Sequence, residues 1–337
     1  MTKFDRILAS SPGRSGGHTE RAWPERVSVT TRARLHFGFF DPSGQGSQPF
    51  GSFGLGLDRP VTKLSLRRAE SLAVRGPESE RAGTYLTELA RHCGRDAALD
   101  LEIESAIPSH SGLGSGTQLA LAVGTAYARL EGLNLTPEEI ASVLQRGRRS
   151  GIGIGTFTQG GAVIDSGPQD GGLPAMLARA DFPEEWRVLL IFDPGCKGLH
   201  GSGELEAFAT APAFPDAEAA RLKQRALEIA FPALSERRFD TFCEAIGHLQ
   251  SVMGLYFAPY QGGPLVSEKV SAAVHWLRDE GYDGVGQSSW GPTGYALLPS
   301  AAEAERLFSE AESRPAFAGL RFEIARGCNT GASIECV

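Results

Sequence analysis

The stretch Ile107–Gln118, Ile-Pro-Ser-His-Ser-Gly-Leu-Gly-Ser-Gly-Thr-Gln, constrains this chain more than any other. Before it, Leu99, Leu101, Ile103 and Ile107 alternate with Asp100, Glu102 and Glu104, the period of a half-buried strand. After it, Leu119, Ala122, Val123, Ala126, Tyr127 and Leu130 recur at helical spacing. A strand that becomes a helix through Gly112, Gly114 and Gly116 leaves the first helical N–H groups without helical acceptors. The helix dipole adds partial positive charge at the same place. That suits a phosphate or diphosphate. Gly and Ser also build plain caps and turns, so the loop alone leaves both readings open.

The chain ahead of this loop has a second constraint. From Arg26 to Phe40, Val27, Val29, Ala33, Leu35, Phe37 and Phe39 share one parity. A strand's period of two then places Arg32, Arg34 and His36 together on the other face. The reading is a cradle for an anion, or a plain solvent face. Such a long run requires a bend or bulge near Gly38. The glycine- and proline-rich segment 41–56 is expected to be a loop. Residues 1–25 lack periodicity and read as a disordered tail. Thr136-Pro137-Glu138-Glu139 caps a further helix, with Thr at N-cap, Pro at N1 and Glu at N3.

Two domains are expected from 337 residues, at 26–180 and 181–337. The second half reads as strand, helices, strand, helix, strand: an α+β domain with an antiparallel sheet. Glycine is 42 of 337 residues, well above the usual ~7%, so several backbone-lined loops are expected. The second such segment is Ser150–Gly161.

A net charge of −7 and the lack of any long Lys/Arg run argue against nucleic acid as partner. Arg146-Gly147-Arg148-Arg149 is the densest basic cluster and reads as a solvated helix end. Five cysteines without CxxC spacing indicate neither a disulfide framework nor zinc. No run of 18 apolar residues and no signal core occurs, so no membrane segment is expected and a cytoplasmic location is.

Three separated motifs resemble one superfamily. Ala33–Gly38 resembles the first motif of the GHMP kinases (galactokinase, homoserine kinase, mevalonate kinase, phosphomevalonate kinase). Pro108-x-x-x-Gly112-Leu113-Gly114-Ser115 resembles their phosphate loop, and the segment 286–294 sits where their third motif falls. Within the superfamily the chain is most similar to the β-ribofuranosylaminobenzene 5′-phosphate synthase family. The resemblance rests on Arg34-Leu35-His36 with Asp41, Gly112–Gln118, Ser150–Gly153 with Gly160-Gly161, and Ser289–Thr293. It implies an N-terminal domain like ribosomal protein S5, a C-terminal ferredoxin-like α/β sandwich, and a homodimer. It implies condensation of 4-aminobenzoate or 4-hydroxybenzoate with 5-phosphoribosyl 1-diphosphate, with release of CO2 and diphosphate. That step belongs to tetrahydromethanopterin biosynthesis and uses Mg2+. Two positions depart from the kinases: Gly116 stands where they carry a metal-holding Ser, and Gly153 where several carry the Asp that takes the acceptor's proton. The alternatives are a GHMP small-molecule kinase and a non-catalytic metabolite sensor of the same fold.

On this reading Gly112, Gly114, Ser115, Gly116 and Thr117 seat the diphosphate. Arg34 and Arg32 take the 5′-phosphate or the benzoate carboxylate. His36 donates a hydrogen bond or moves a proton, or only packs. Asp41 is the catalytic carboxylate and metal candidate, against a simple Asp-Pro turn; Asp165 is a weaker metal candidate. His110 and Ser111 border the loop. Gly151, Gly153 and Gly155 allow close backbone approach. Ser289, Trp290 and Thr293 close the site from the second domain, with Trp290 stacking on the ring or plugging the core. Asn329 and Thr330 are expected neighbours.

Overall fold

The computed structural model describes residues 23–199 and 201–337. Residues 1–22 of the expected tail lie outside the described residues. β1 (Arg26–Asp41) pairs antiparallel with β2 (Phe50–Arg68) along most of its length. In its first half one face is buried and the other half-exposed; beyond Leu35 both faces are buried. The reason is a long helix of the second domain, Phe239–Gln261. Met253 and Leu249 of that helix lie so close to Gly38 that a Cβ there would sit 2.7 Å from Met253 Cγ.

The segment 41–56 is not one loop. β2 begins at Phe50, with Phe50 opposite Asp41 and Leu55 opposite Leu35. Gly51, Gly54 and Gly56 obscured the alternation of Phe53, Leu55 and Leu57, all fully buried. A side chain at Gly54 would collide with Ile152 and the Leu35 carbonyl oxygen, so close packing requires the glycine.

The sheet continues through β3 (Ala73–Arg75), parallel to β4 (Leu99–Ser105), which is antiparallel to β2. The helix α1 (Ser79–His92) makes the β3–β4 crossover. α2 (Ser115–Leu130) lies at the centre of this domain, with Leu119, Ala122, Val123, Ala126, Tyr127 and Leu130 buried as expected. α3 (Pro137–Val143) starts with the expected capping box of Thr136 and Glu139. α4 (Ile152–Thr158), β5 (Ala162–Asp165) and β6 (Met176–Ala180) complete it, with β5 paired to both β2 and β6.

The second domain contributes β7 (Arg187–Phe192), α5 (Ser202–Thr210), α6 (Asp216–Arg225), α7 (Phe231–Ser235), α8 (Phe239–Gln261), α9 (Glu268–Asp279), β8 (Val285–Gln287), β9 (Gly294–Leu298), α10 (Ala301–Ser313) and β10 (Arg321–Ala325). The sheet order is β10-β7-β9-β8, antiparallel throughout. That is the split β-α-β-β-α-β order of a ferredoxin-like domain.

All four strands of this sheet follow residue 181 in the chain, but the chain's end leaves it. β11 (Ser333–Cys336) returns to the first sheet and pairs with β1. It is short and bears the exposed Ile334, so its sequence carries little burial pattern. One aromatic core spans the join: Phe37 of β1 meets Phe53 of β2, Phe242 of α8 and Tyr295 of β9.

Candidate active site

Three segments meet where the domains join. The Arg34 N–H donates to the Leu113 carbonyl (3.1 Å), the Ser289 N–H to the His36 carbonyl (3.1 Å), and the Ser288 hydroxyl to the Gly112 carbonyl (2.7 Å). β1, the glycine loop and the β8–β9 connection are thereby fixed against one another. Gly112 and Gly114 both have positive φ, 77° and 83°. A Cβ on Gly112 would collide with the Ser288 carbonyl oxygen. The glycines are therefore needed for domain contact as well as for loop shape.

In front of the loop lies an open basin of about 360 Å³, lined by Arg34, Arg81, Arg146, His110, Gly112, Gly114–Thr117, Glu204 and Ser289–Gly291. It opens into an arm lined by His36, Phe39, Thr117, Arg148, Arg149, Ser150 and Gly153. α2 starts at Gly114 without a side-chain cap. The N–H groups of Ser115, Gly116 and Thr117 thus have no helical acceptor and face an arginine-rich wall.

Part of that wall was misjudged from sequence. Arg148 is exposed, as a solvated helix end requires, but Arg146 and Arg149 are half-buried. α3 stops at Val143, and positive φ at Gln145 (54°) and Gly147 (75°) turns the chain back over the start of α2. Arg146 donates to Tyr85 Oη and lies 5.1 Å from its ring centroid. Arg149 pairs with Glu204 at 2.9 Å and lies 4.3 Å over the Phe208 ring. Arg81, held by Glu78 at 2.7 Å, was not anticipated. The available signal was basic density in an acidic chain.

Arg34 donates to the Gly112 carbonyl. Burial lowers its pKa to about 10, partly offset by Glu204, so it remains cationic at neutral pH. Arg32 leaves this face. A bulge between Arg32 and Arg34 breaks the register, and Arg32 donates to the Gly331 carbonyl at 2.7 Å. The second bulge, between His36 and Gly38, falls where the sequence required one. His36 is buried, and burial first, then the Arg34 charge, holds it well below the usual imidazole range.

Asp41 is not at the basin. Its carboxylate accepts from Ser43 N–H (3.0 Å), Ser43 Oγ (2.6 Å), Gly44 N–H (3.2 Å) and Gly46 N–H (2.9 Å). The Asp-Pro turn reading is the correct one, because the turn's own donors occupy both oxygens. Asp165 accepts from Ser52 Oγ (2.5 Å), Gly151 N–H (2.9 Å) and Gly167 N–H (2.7 Å), and also knits a turn. Gly151 packs on Asp165 and Pro174, and Gly155 on Met176; neither lines the basin. Gly153 does, and a Cβ there would lie 2.9 Å from Thr117 Cγ2. Gln118, buried in α2, fixes this approach by donating to the Gly153 carbonyl at 2.8 Å. Ser111 and Thr293 lie beneath the loop, joined through the Thr293 N–H and Ser111 carbonyl at 3.4 Å. Asn329 exchanges hydrogen bonds with the Phe182 backbone, away from the basin. Trp290 lines the basin and also packs edge-on against Phe208 (5.5 Å) and close to Phe257 (4.4 Å).

Among the described residues, no cluster of three His, Cys, Asp or Glu side chains is placed to hold a metal ion. Among the described residues Glu204 is the one carboxylate lining the basin and its arm, and it is paired with Arg149. These residues do not form a magnesium cage of their own.

The family models for the GHMP kinases N terminal domain and the GHMP kinases C terminal domain match residues 81–161 and 230–315. Homoserine kinase from Cytophaga hutchinsonii has the same fold: TM-score 0.66, 15% identity, covering 95% of this chain and all of that one. Mevalonate diphosphate decarboxylase from Staphylococcus aureus gives 0.65 and 16%, covering 92% and 98%. The two family models and the shared architecture give the chain the GHMP kinase fold. A β-ribofuranosylphenol 5′-phosphate synthase from Archaeoglobus fulgidus is 32% identical over 328 residues, covering 92% of this chain and 99% of that protein. One from Methanocaldococcus jannaschii is 30% identical, covering 80% and 88%. The chain belongs to the β-ribofuranosylphenol 5′-phosphate synthase family.

Proposed function

We propose that the protein condenses 4-hydroxybenzoate with 5-phosphoribosyl 1-diphosphate, forming a C-riboside 5′-phosphate and releasing CO2 and diphosphate in methanopterin-type cofactor biosynthesis. The names of the relatives, which specify a phenol product, favour the hydroxy acid over 4-aminobenzoate. The observation that carries the reading is the basin itself: an uncapped helix start walled by Arg34, Arg81, Arg146 and Arg149, opening beside Phe39 and Trp290.

In this reading the α2 N–H groups and the Ser115 and Thr117 hydroxyls receive the diphosphate. Arg146 and Arg81 neutralise charge as the C–O bond to the leaving group breaks. Arg34, still cationic, takes the benzoate carboxylate. The ring carbon bearing that carboxylate attacks the anomeric carbon, and CO2 loss restores aromaticity. Mg2+ carried with the donor would offset part of the diphosphate charge, and Glu204 of the basin wall is the carboxylate that could face it. Gly153 leaves no base for an acceptor alcohol, which disfavours kinase chemistry. Among the described residues no helix is long and apolar enough to cross a membrane. The same reading makes the protein a cytoplasmic homodimer, and light scattering tests the dimer.

The test mixes purified protein, Mg2+, carboxyl-labelled 4-hydroxybenzoate and the phosphoribosyl donor. Equal release of labelled CO2 and diphosphate is expected, whereas release of neither refutes the reaction. Arg146→Ala should raise the donor KM about 10- to 100-fold, the worth of a charged hydrogen bond.

A further inference from the structure

One diphosphate does not account for the positive charge of this cleft. Arg34, Arg81, Arg146, Arg148 and Arg149 line the basin and its arm, and among the described residues Glu204 is the one carboxylate facing them. The charge is also divided in space. Arg81 borders the basin and not the arm, whereas Arg148 borders the arm and not the basin. The arm adds about 440 Å³ beside the diphosphate seat.

The wall that sets the arm apart is the turn over residues 147–150. Engaged donors bracket it. The Arg146 N–H donates to the Ala141 carbonyl at 2.7 Å, and the Gly151 N–H to Asp165 at 2.9 Å. Between them, the N–H groups of Gly147, Arg148, Arg149 and Ser150 find no acceptor among the described residues. All four residues line the arm, and Gly147 has only backbone to do so with. Successive unpaired N–H groups on a turn form a concavity for an anion.

The side chains of the turn differ in what they are free to do. Arg149 is committed to Glu204 at 2.9 Å and to the Phe208 ring at 4.3 Å. The Ser150 hydroxyl is shared with Ser52 Oγ at 2.7 Å and Asp165 at 3.3 Å. Arg148 is exposed and makes no ion pair or hydrogen bond with a described residue. Its guanidinium is a donor fork without an acceptor.

That donor set points to one kind of anion. A carboxylate is satisfied by a single fork, which Arg34 supplies. A phosphomonoester has three acceptor oxygens and close to two negative charges at neutral pH, so it takes several donors at once. The arm and the basin share Arg34, Thr117, Arg146 and Glu204 as walls, so a molecule with phosphate at both ends can span them. Where they join, Gly153 packs closely on Thr117 and adds no side chain to the passage.

Resting on the reaction above, we propose that the turn over residues 147–150 and the Arg148 guanidinium form a second phosphate seat, which takes the 5′-phosphomonoester of the ribosyl donor and so selects a 5-phosphorylated sugar. The diphosphate then lies on the start of α2, and the ribose crosses Thr117 and Gly153 between the two seats. No bond forms or breaks at the second seat; it fixes which way round the donor lies.

Equilibrium binding to the full chain separates the two seats without turnover, with ribose 5-phosphate and inorganic diphosphate as probes. Wild type should bind both. Arg148→Gln should weaken ribose 5-phosphate about tenfold or more, the worth of a hydrogen bond to a charged group, and leave diphosphate within about twofold. Arg81→Gln should do the converse. Arg148→Lys, which keeps the charge but not the fork, should fall between wild type and Arg148→Gln. In wild type labelled with 15N-arginine, the Arg148 amide resonance, assigned by its loss in Arg148→Gln, should move with ribose 5-phosphate and not with ribose. Undiminished ribose 5-phosphate binding in Arg148→Gln, an equal loss of both probes in that variant, no binding of ribose 5-phosphate to wild type, or an unmoved Arg148 amide overturns the proposal. Selective ribose 5-phosphate binding without release of CO2 or diphosphate, once 4-hydroxybenzoate and the full donor are added, refutes the reaction and leaves the second seat standing. Turnover with a donor KM unchanged in Arg148→Gln does the reverse.

Discussion

Two glycine-rich segments each start a helix in the first domain, and only one leaves its first N–H groups open toward a basin. α2 begins after Gly114 and runs 16 residues, with its first N–H groups facing the arginine wall. α4 begins after Gly151 and runs 7 residues. There the Gly151 N–H donates to Asp165 at 2.9 Å and the Ile152 N–H to Ser150 Oγ at 3.3 Å. The second helix start already has a carboxylate of its own chain, buried and closed. A helix N-terminus is available to a foreign anion only where the protein has not filled it.

The most severe way to break the contrast is Gly112→Ala. Its φ of 77° disfavours any side chain, and the new Cβ meets the Ser288 carbonyl, a backbone atom that cannot swing aside. A loss of about 3 kcal/mol or more in urea unfolding is expected, with activity lost in proportion to the unfolded or displaced loop. Asp165→Asn tests the other segment. It keeps shape but turns one acceptor oxygen into an N–H2 group among N–H and O–H donors. About 1–3 kcal/mol should be lost in the same unfolding measurement. Turnover per folded molecule should change less than about twofold, because Asp165 touches no part of the basin. A collapse of turnover in the folded variant would show that the second segment belongs to the site after all.

That difference was only partly visible in the sequence. The strand-to-helix passage through the glycine loop, α2 and the capping box at Thr136 are local patterns, and the structure has them; the strand–helices–strand–helix–strand reading of the second half lacked only the three-residue β8. What failed was what distant segments do to local patterns. Asp41 looked available because sequence does not show that Ser43, Gly44 and Gly46 turn their donors onto it. Arg32 and Arg34 share a parity, but a bulge sends one to Gly331 and the other to Gly112. Arg146 and Arg149 looked solvated because two positive-φ residues beyond α3 have no period to read. A small cavity lined by His36, Met253, Phe257 and Trp290 is formed by β1, α8 and the β8–β9 connection, far apart along the chain, and no single stretch announces it.

Gly153→Asp probes where the two segments touch. It restores the carboxylate found in several GHMP kinases, but here the Cβ would lie 2.9 Å from Thr117 Cγ2 and 3.2 Å from its Cβ. The variant must displace Thr117 and places negative charge beside the diphosphate seat. Riboside formation should fall about tenfold or more, mostly in the donor KM, with no ATP-dependent phosphorylation gained. Phosphorylation of an added alcohol would show that the missing carboxylate alone separates this site from a kinase.

Gly116→Ser is the mildest change and the sharpest test of what the loop requires. It too restores a kinase residue. A Cβ at Gly116 meets only the ends of two flexible side chains, Arg146 at 3.6 Å and Arg81 at 3.7 Å, both ordinary contact distances. Gly116 lies in the first turn of α2, where a serine is the better helix former, so stability should rise by up to about 0.5 kcal/mol. Turnover should stay within about threefold of wild type if the arginines, rather than a hydroxyl-held metal ion, carry the leaving diphosphate. A large gain in turnover, together with a lower magnesium requirement, would instead place a metal ligand at this position and move the charge balance of the basin from its arginines to the ion.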